Sequence, residues 1–283
     1  MMLTMLATKA DDNEPENMIR LLLKDPNADI NEQNCFGNSA LHIACGNFVR
    51  SSVGVELLLN DALCDVNISN IEGNTPLMLA VQHTKVENDV HYRIIQLLLR
   101  HPLIDLSEEN DLCETALQQA CGYHAKSYHG ALLLIEDGRC DVNHQDEHLN
   151  TALMTAVHYT RGLHDKYGLA IARMLKLSNI KVNLINGFMQ TALDKIKKRQ
   201  AETDEATLWF ELEAVTRLLV DNGAKVAAQM QYSDSPPGFD ERLMSNCTNS
   251  QIGEHVTRTE SNGCRRGRVQ LDPKHSQGCK PNQ

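Results

Sequence analysis

Thr75-Pro-Leu-Met-Leu-Ala80 is the stretch on which the reading of this chain turns. A Thr that caps free N–H groups stands before a Pro at the first helical position, where a missing N–H costs nothing. Leu77 and the small Ala80 then share one helix face, which lets a neighbouring helix approach closely. The block recurs as Ser39-Ala-Leu-His-Ile-Ala44, Thr115-Ala116-Leu117, Thr151-Ala152-Leu153 and Thr191-Ala192-Leu193, in steps of 36, 40, 36 and 40 residues. Ten residues before each copy stands a second block: Asp29-Ile30-Asn31, Asp65-Val66-Asn67, Asp105-Leu106-Ser107, Asp141-Val142-Asn143 and Lys181-Val182-Asn183. A third is a Leu-rich run, such as Leu57-Leu58-Leu59 and Leu97-Leu98-Leu99. No single copy can bury these apolar faces alone, so stacking of neighbours must build the core.

These blocks resemble the ankyrin repeat, a unit of about 33 residues made of a β-turn and two antiparallel helices and marked by a T-P-L-H-x-A pattern. Leu218-Leu-Val-Asp-Asn-Gly-Ala224 is similar to the end of a last repeat. The resemblance covers residues 3–228 and implies an all-α solenoid of stacked helix pairs with β-turn fingers, about five to six repeats long. Residues 1–229 are expected to form the array, with caps at 1–28 and 184–229. Residues 230–283 begin at the breaker cluster Ser233-Asp-Ser-Pro-Pro-Gly238, hold few apolar residues, and read as a disordered tail.

Copies match better two apart than one apart. At an offset of 76 residues, Ala44-Cys45-Gly46 pairs with Ala120-Cys121-Gly122, Cys64-Asp-Val-Asn67 with Cys140-Asp-Val-Asn143, and Met78 with Met154. A two-repeat block was duplicated, and the surface is expected to alternate accordingly. The extra length of the 40-residue units falls in Thr84–His91 and Thr160–Gly168. In the last unit Lys195-Ile-Lys-Lys-Arg199 is basic where other copies are apolar, and Gln200 to Thr207 reads as a long charged linker.

Composition narrows the function classes. The 283 residues carry Lys+Arg 27 against Asp+Glu 37, a formal charge of −10, which argues against nucleic acid as a partner. The 230–283 segment holds 7 Lys+Arg and 6 Asp+Glu, so the array itself is near −11 and favours a partner with a basic surface. Aromatic residues are only 4% of the chain, leaving Leu, Ile, Val and Ala to fill the core. No window is apolar enough to cross a membrane, and the start of the chain does not read as a secretory signal. Nine Cys without a C-x-x-C pair read as thiols of a cytoplasmic chain. A monomer is expected.

The resemblance implies that partners meet the fingertip turns and the concave row at the ends of the inner helices. Unit by unit, the candidate contacts are Phe36 and Asn38, then Ile71, Glu72 and Asn74 with His83. Leu112 with Tyr123, His148 with His158 and Tyr159, and Phe188 complete the set. Phe36, Ile71, Leu112 and Phe188 are apolar at tips that are usually polar, which suits a protein partner. Gly37 and Gly73 precede two helix starts where φ > 0 is needed, but Cys113, Leu149 and Met189 stand at the matching positions. Those three turns must adopt another geometry or carry strain.

Other chemistries find less support. Nine of the twelve His lie between His83 and His164, yet no Cys or carboxylate stands near them at a recognised metal-ligand spacing. Cys247, Cys264, His275 and Cys279 are irregularly spaced. There is no G-x-S-x-G, phosphate-cradling glycine loop or H-E-x-x-H, so neither catalysis nor a cofactor is expected. His42 belongs to the repeat's own pattern, where it bonds between turns, and Cys45 sits in a core slot. The resemblance also implies hydroxylation as a candidate modification of Asn31 and Asn67, which otherwise hold the turn. It leaves open a bacterial effector acting on host proteins, a eukaryotic cytosolic regulator resembling the IκB proteins, and an enzyme or metal site on the His-rich insertions.

Overall fold

The computed structural model describes residues 19–25, 27–46, 51–85 and 89–229. Expectations for residues 1–18 and 230–283, including the tail and its Cys and His, lie outside them. Residues 19–22 are helical. Then come paired helices: α1 (Ala40–Cys45) with α2 (Val53–Leu59), α3 (Pro76–His83) with α4 (Val90–Arg100), α5 (Ala116–Cys121) with α6 (His129–Asp137), α7 (Ala152–Tyr159) with α8 (Lys166–Met174), and α9 (Ala192–Glu202) with α10 (Ala206–Asp221). No strand occurs among the described residues.

Each inner helix begins as its sequence dictates. The hydroxyls of Ser39, Thr75, Thr151 and Thr191 accept the amide of the residue three positions on, and Pro76 sits in the first turn of α3. In α5 the Thr115 amide is capped by Gln118 Oε1 at 3.0 Å. Leu41, Leu77, Leu117, Leu153 and Leu193 are buried, as are Ala44, Ala80, Ala120 and Ala156 three residues later. Inner helix packs on inner helix and outer on outer, so one apolar seam runs through the stack. Cys45, Val81, Cys121 and Val157 fill the next slot at 0% exposure. In the last unit that slot holds Lys197, which is exposed because no inner helix follows α9 among the described residues.

The two unit lengths arise where expected. Inner helices α1 and α5 have 6 residues and end at Gly46 and Gly122; α3 and α7 have 8 and end at Thr84 and Thr160. The connection is then closed by Asp89 and Asp165, which cap α4 and α8 through the amides of Tyr92 (2.7 Å) and Gly168 (2.6 Å). The linker expected over Gln200 to Thr207 is much shorter: α9 runs to Glu202 and α10 starts at Ala206. Gln200, Ala201 and Glu202 are good helix formers, and polarity there marks an exposed helix face rather than a break.

Bonds between units follow the 76-residue period. Buried His42 donates from Nε2 to Asn74 O (2.9 Å) while its Nδ1 accepts the Ser39 amide (3.1 Å). Gln118, 76 residues on, reproduces this by donating to Asn150 O at 2.8 Å. His91 Nε2 donates to Gly46 O at 2.9 Å, and the Tyr167 hydroxyl donates to Gly122 O at 3.3 Å. At the other corner of each unit a single Asn clamps two backbone groups of the next. Asn31 donates to Leu63 O (2.7 Å) and accepts from Asp65 N (2.8 Å); Asn67 does the same with Leu103 O (2.7 Å) and Asp105 N (2.9 Å). Asn143 and Asn183 repeat the clamp, whereas Ser107 instead donates to Asp105 at 2.6 Å.

Candidate protein-interaction surfaces

Five fingertips stand in a row. Each opens on an Asn or Asp whose side-chain oxygen accepts two amides of the turn, as Asn70 does from Glu72 (3.0 Å) and Asn74 (2.9 Å). Asn34, Asn110, Asp146 and Asn186 act likewise, so all five tips share one geometry. Neighbouring tips are joined by backbone bonds, from Ile71 N to Phe36 O (3.2 Å) through to Gly187 N to His148 O (2.8 Å). The sequence reading missed these five residues. They lie five positions before every helix-capping Ser or Thr, a spacing visible in the chain itself.

Of the two outcomes expected for the later turns, strain is the one realised. Gly37 and Gly73 have φ of 70° and 75°, and Cys113, Leu149 and Met189 keep nearly the same conformation at 56°, 59° and 58°. The capping carboxamide or carboxylate and the inter-tip bond hold them in a region that costs an L-residue about 1–2 kcal/mol.

The exposed tip side chains are Phe36 (59%), Ile71 (52%), Leu112 (50%) and Phe188 (68%). Phe36, Leu112 and Phe188 share one tip position at intervals of 76 residues; Glu72 and His148 occupy it in the alternate units. Ile71 sits one place earlier in its turn. Glu72, Asp111 and Glu147 are exposed beside them and make the row acidic. His148 is exposed, its ring 6.4 Å from that of Phe188.

Two expected contacts are not surface groups. Asn74 is buried, because its Nδ2 donates to Glu72 (2.9 Å) and its Oδ1 accepts from Asn110 (3.3 Å). Asn38 is half-buried and accepts from Asn70 at 3.0 Å. Both belong to a ladder of carboxamides behind the tips that continues with Asn186 to Asn150 (3.0 Å).

The second surface lies at the C-terminal ends of the inner helices. Tyr123 (72% exposed) follows α5, and its ring is 6.0 Å from that of half-buried Tyr159, which is 5.7 Å from Tyr167. His158 is exposed beside Tyr159. His83 is half-buried, and its Nδ1 has no hydrogen-bond partner among the described residues. Burial first and the charge of Lys126 next push His83 down to about 4; burial, then Lys195 and Arg199, lower His158. Arg199 reaches from α9 to the carbonyls of Val157 (2.9 Å) and Thr160 (2.6 Å), which satisfies the end of α7.

The His-rich segment does not gather into one site. His144 Nε2 lies 2.9 Å from Cys113 O and 3.7 Å from Glu109, while His164 is exposed. Among the described residues no group of three His, Cys, Asp or Glu side chains is placed to hold a metal. Cys45, Cys64, Cys121 and Cys140 are buried, unbonded thiols. Burial raises all four, the last three to about 12, so they are core groups rather than nucleophiles. No described helix is long and apolar enough to cross a membrane.

Residues 4–110 match the family model for ankyrin repeats, in 3 copies. No curated protein matches the chain in sequence. Among solved structures, the ankyrin repeat protein EF0377 is 21% identical, with a TM-score of 0.58 over 72% of this chain and 91% of its own. An ankyrin repeat domain (ABAYE2397) from Acinetobacter baumannii AYE is 24% identical, with a TM-score of 0.58 over 75% and 95%. The ankyrin repeat domain of Bcl-3, of the IkappaB protein family, is 22% identical, with a TM-score of 0.52 over 70% and 77%. At these identities the likeness is one of fold.

Proposed function

The chain is built of ankyrin repeats, a protein-binding scaffold, and we propose that it acts without catalysis by docking a partner protein along its fingertips. The observation that carries this is the exposed apolar row of Phe36, Ile71, Leu112 and Phe188 on turns held rigid by internal and inter-tip bonds. Rigid turns lose little entropy on docking, and apolar groups ringed by charge are what an interface core and rim require. Glu72, Asp111 and Glu147 in the same row favour a partner with a basic surface and an on-rate that falls with salt. The buried, unbonded thiols suit a reducing compartment, so the proposed place of action is a cytoplasm, that of the producing cell or of a host.

Affinity capture followed by mass spectrometry tests this. The wild-type array is compared with a Phe36→Ser, Ile71→Ser, Leu112→Ser variant whose circular dichroism is checked first. Loss of the captured partners with the helical signal intact is expected; unchanged capture removes the fingertips as the site.

A further inference from the structure

The edge opposite the fingertips carries charge of the other sign. Lys85 follows α3, and the Lys126 amide donates to Gln82 O at 3.2 Å, which sets that loop against the end of α3. Arg161 stands at the same place after α7. All three side chains are exposed. Burial first and the neighbouring Lys85 next lower Lys126, as expected for cations sharing one surface. The acidic residues of this edge are otherwise engaged: Asp89 and Asp165 are turned into helix caps, and Glu205 lies 4.0 Å from Arg161. Tyr123 and Tyr159 stand between the cations as contacting rings.

Helix C-termini attract cations for structural reasons, and Arg199 on α7 is such a case. That accounts for groups bonded to terminal carbonyls. It leaves the exposed Lys85, Lys126 and Arg161 and the 72% exposed Tyr123 between them.

We propose that this row of Lys85, Lys126, Arg161, Tyr123 and Tyr159 binds an extended acidic peptide segment of a partner protein, with apolar or aromatic side chains between its carboxylates. Neighbouring helices pack about 8–10 Å apart and an extended chain covers about 3.3–3.6 Å per residue, so each repeat spans about three peptide residues. A carboxylate at every third position meets the cations in turn, and the intervening side chains lie on the Tyr faces. A nucleic acid is the poorer occupant, since its affinity depends on many phosphate contacts and this chain carries −10 overall. The inference rests on the scaffold reading and adds a second face to it.

The probe is a fluorescein-labelled nonapeptide of three Glu-Ser-Phe repeats, with a Gln-Ser-Phe counterpart, titrated by anisotropy against the full chain. The Glu peptide is expected to bind about tenfold tighter than the Gln peptide, with the difference shrinking as salt rises. A Lys85→Gln, Lys126→Gln, Arg161→Gln variant with intact circular dichroism should lose that tenfold preference, and the fingertip triple variant should keep it. Equal affinity for the two peptides, no binding of either, a preference undiminished in the cation variant, or tighter binding of an oligouridylate would each overturn the proposal. Any of these, with fingertip-dependent partner capture retained, leaves the scaffold reading standing.

Discussion

Leu149 sits at φ 59° in a turn where the first two units use glycine, and an Ala/Gly pair at this position measures what that costs. Leu149→Ala and Leu149→Gly both remove the leucine side chain, which is 47% exposed, so that loss cancels between them. What remains is the Cβ. In the left-handed region it costs about 1–2 kcal/mol, and the greater freedom of glycine in the unfolded chain returns about 0.4–1 kcal/mol. The Gly variant should therefore be the more stable by about 0.5–1 kcal/mol, the reverse of the order in a helix. For an array of this size that is a rise in Tm of about 1–4 °C. Gly73→Ala is the companion. Its Cβ would lie 2.6 Å from Asp111 N, whose bond to Glu72 O (3.1 Å) must then yield, so the loss should reach about 2–4 kcal/mol. Equilibrium urea unfolding followed at 222 nm reads both. A Leu149→Ala variant as stable as Leu149→Gly would refute the idea that the later fingertips store strain.

Asn67→Ala removes two bonds to the next unit and should lower stability by about 1–3 kcal/mol in the same urea assay. His42→Gln should cost under about 1 kcal/mol, because Gln118 already does this work 76 residues later, whereas His42→Leu leaves Asn74 O and Ser39 N without their partner and should cost about 2–3 kcal/mol. Burial holds His42, His83 and His91 below their ordinary value, His83 at about 4, so the unfolded chain takes up protons that the fold excludes. Stability should be full above a pH of about 6.5 and fall as the pH drops towards 4, with a shallower fall in His83→Gln, as urea midpoints across that range would show. Brief iodoacetamide treatment with peptide mapping should leave Cys45, Cys64, Cys121 and Cys140 unmodified in the native chain and modify them in urea; native labelling of Cys45 or Cys121 would contradict their place in the core.

The stack was legible in the chain because each copy states its own helix start. Ser39 or Thr75, a Leu two residues on and an Ala three beyond it are local chemistry, repeated often enough to outweigh any single misleading copy. The carboxamide ladder was not, although Asn34 and its counterparts recur on the same period. A polar residue in a turn looks alike whether it faces water or its neighbour, and only the stacked geometry turns Asn74 inward. Gln200 to Glu202 misled for a similar reason, since polarity marks an exposed surface and says nothing of backbone conformation. The cationic edge escaped because Lys85, Lys126 and Arg161 come from different repeats at positions that do not recur, and a net charge of −10 conceals a local surplus of the opposite sign.

The alternating bonds between units also restrict how this chain can change length. Excising one layer would bring His42, which needs a backbone carbonyl ahead of it, against an interface shaped for Met78, and would leave Asp89 closing a connection of the wrong span. Excising 76 residues, from 68 to 143, creates no such misfit: His42 would meet Asn150 O in the place where Gln118 now meets it. The molecule is thus a polymer whose monomer is the double layer, able to be spliced, shortened or extended in pairs and resistant to odd-numbered edits.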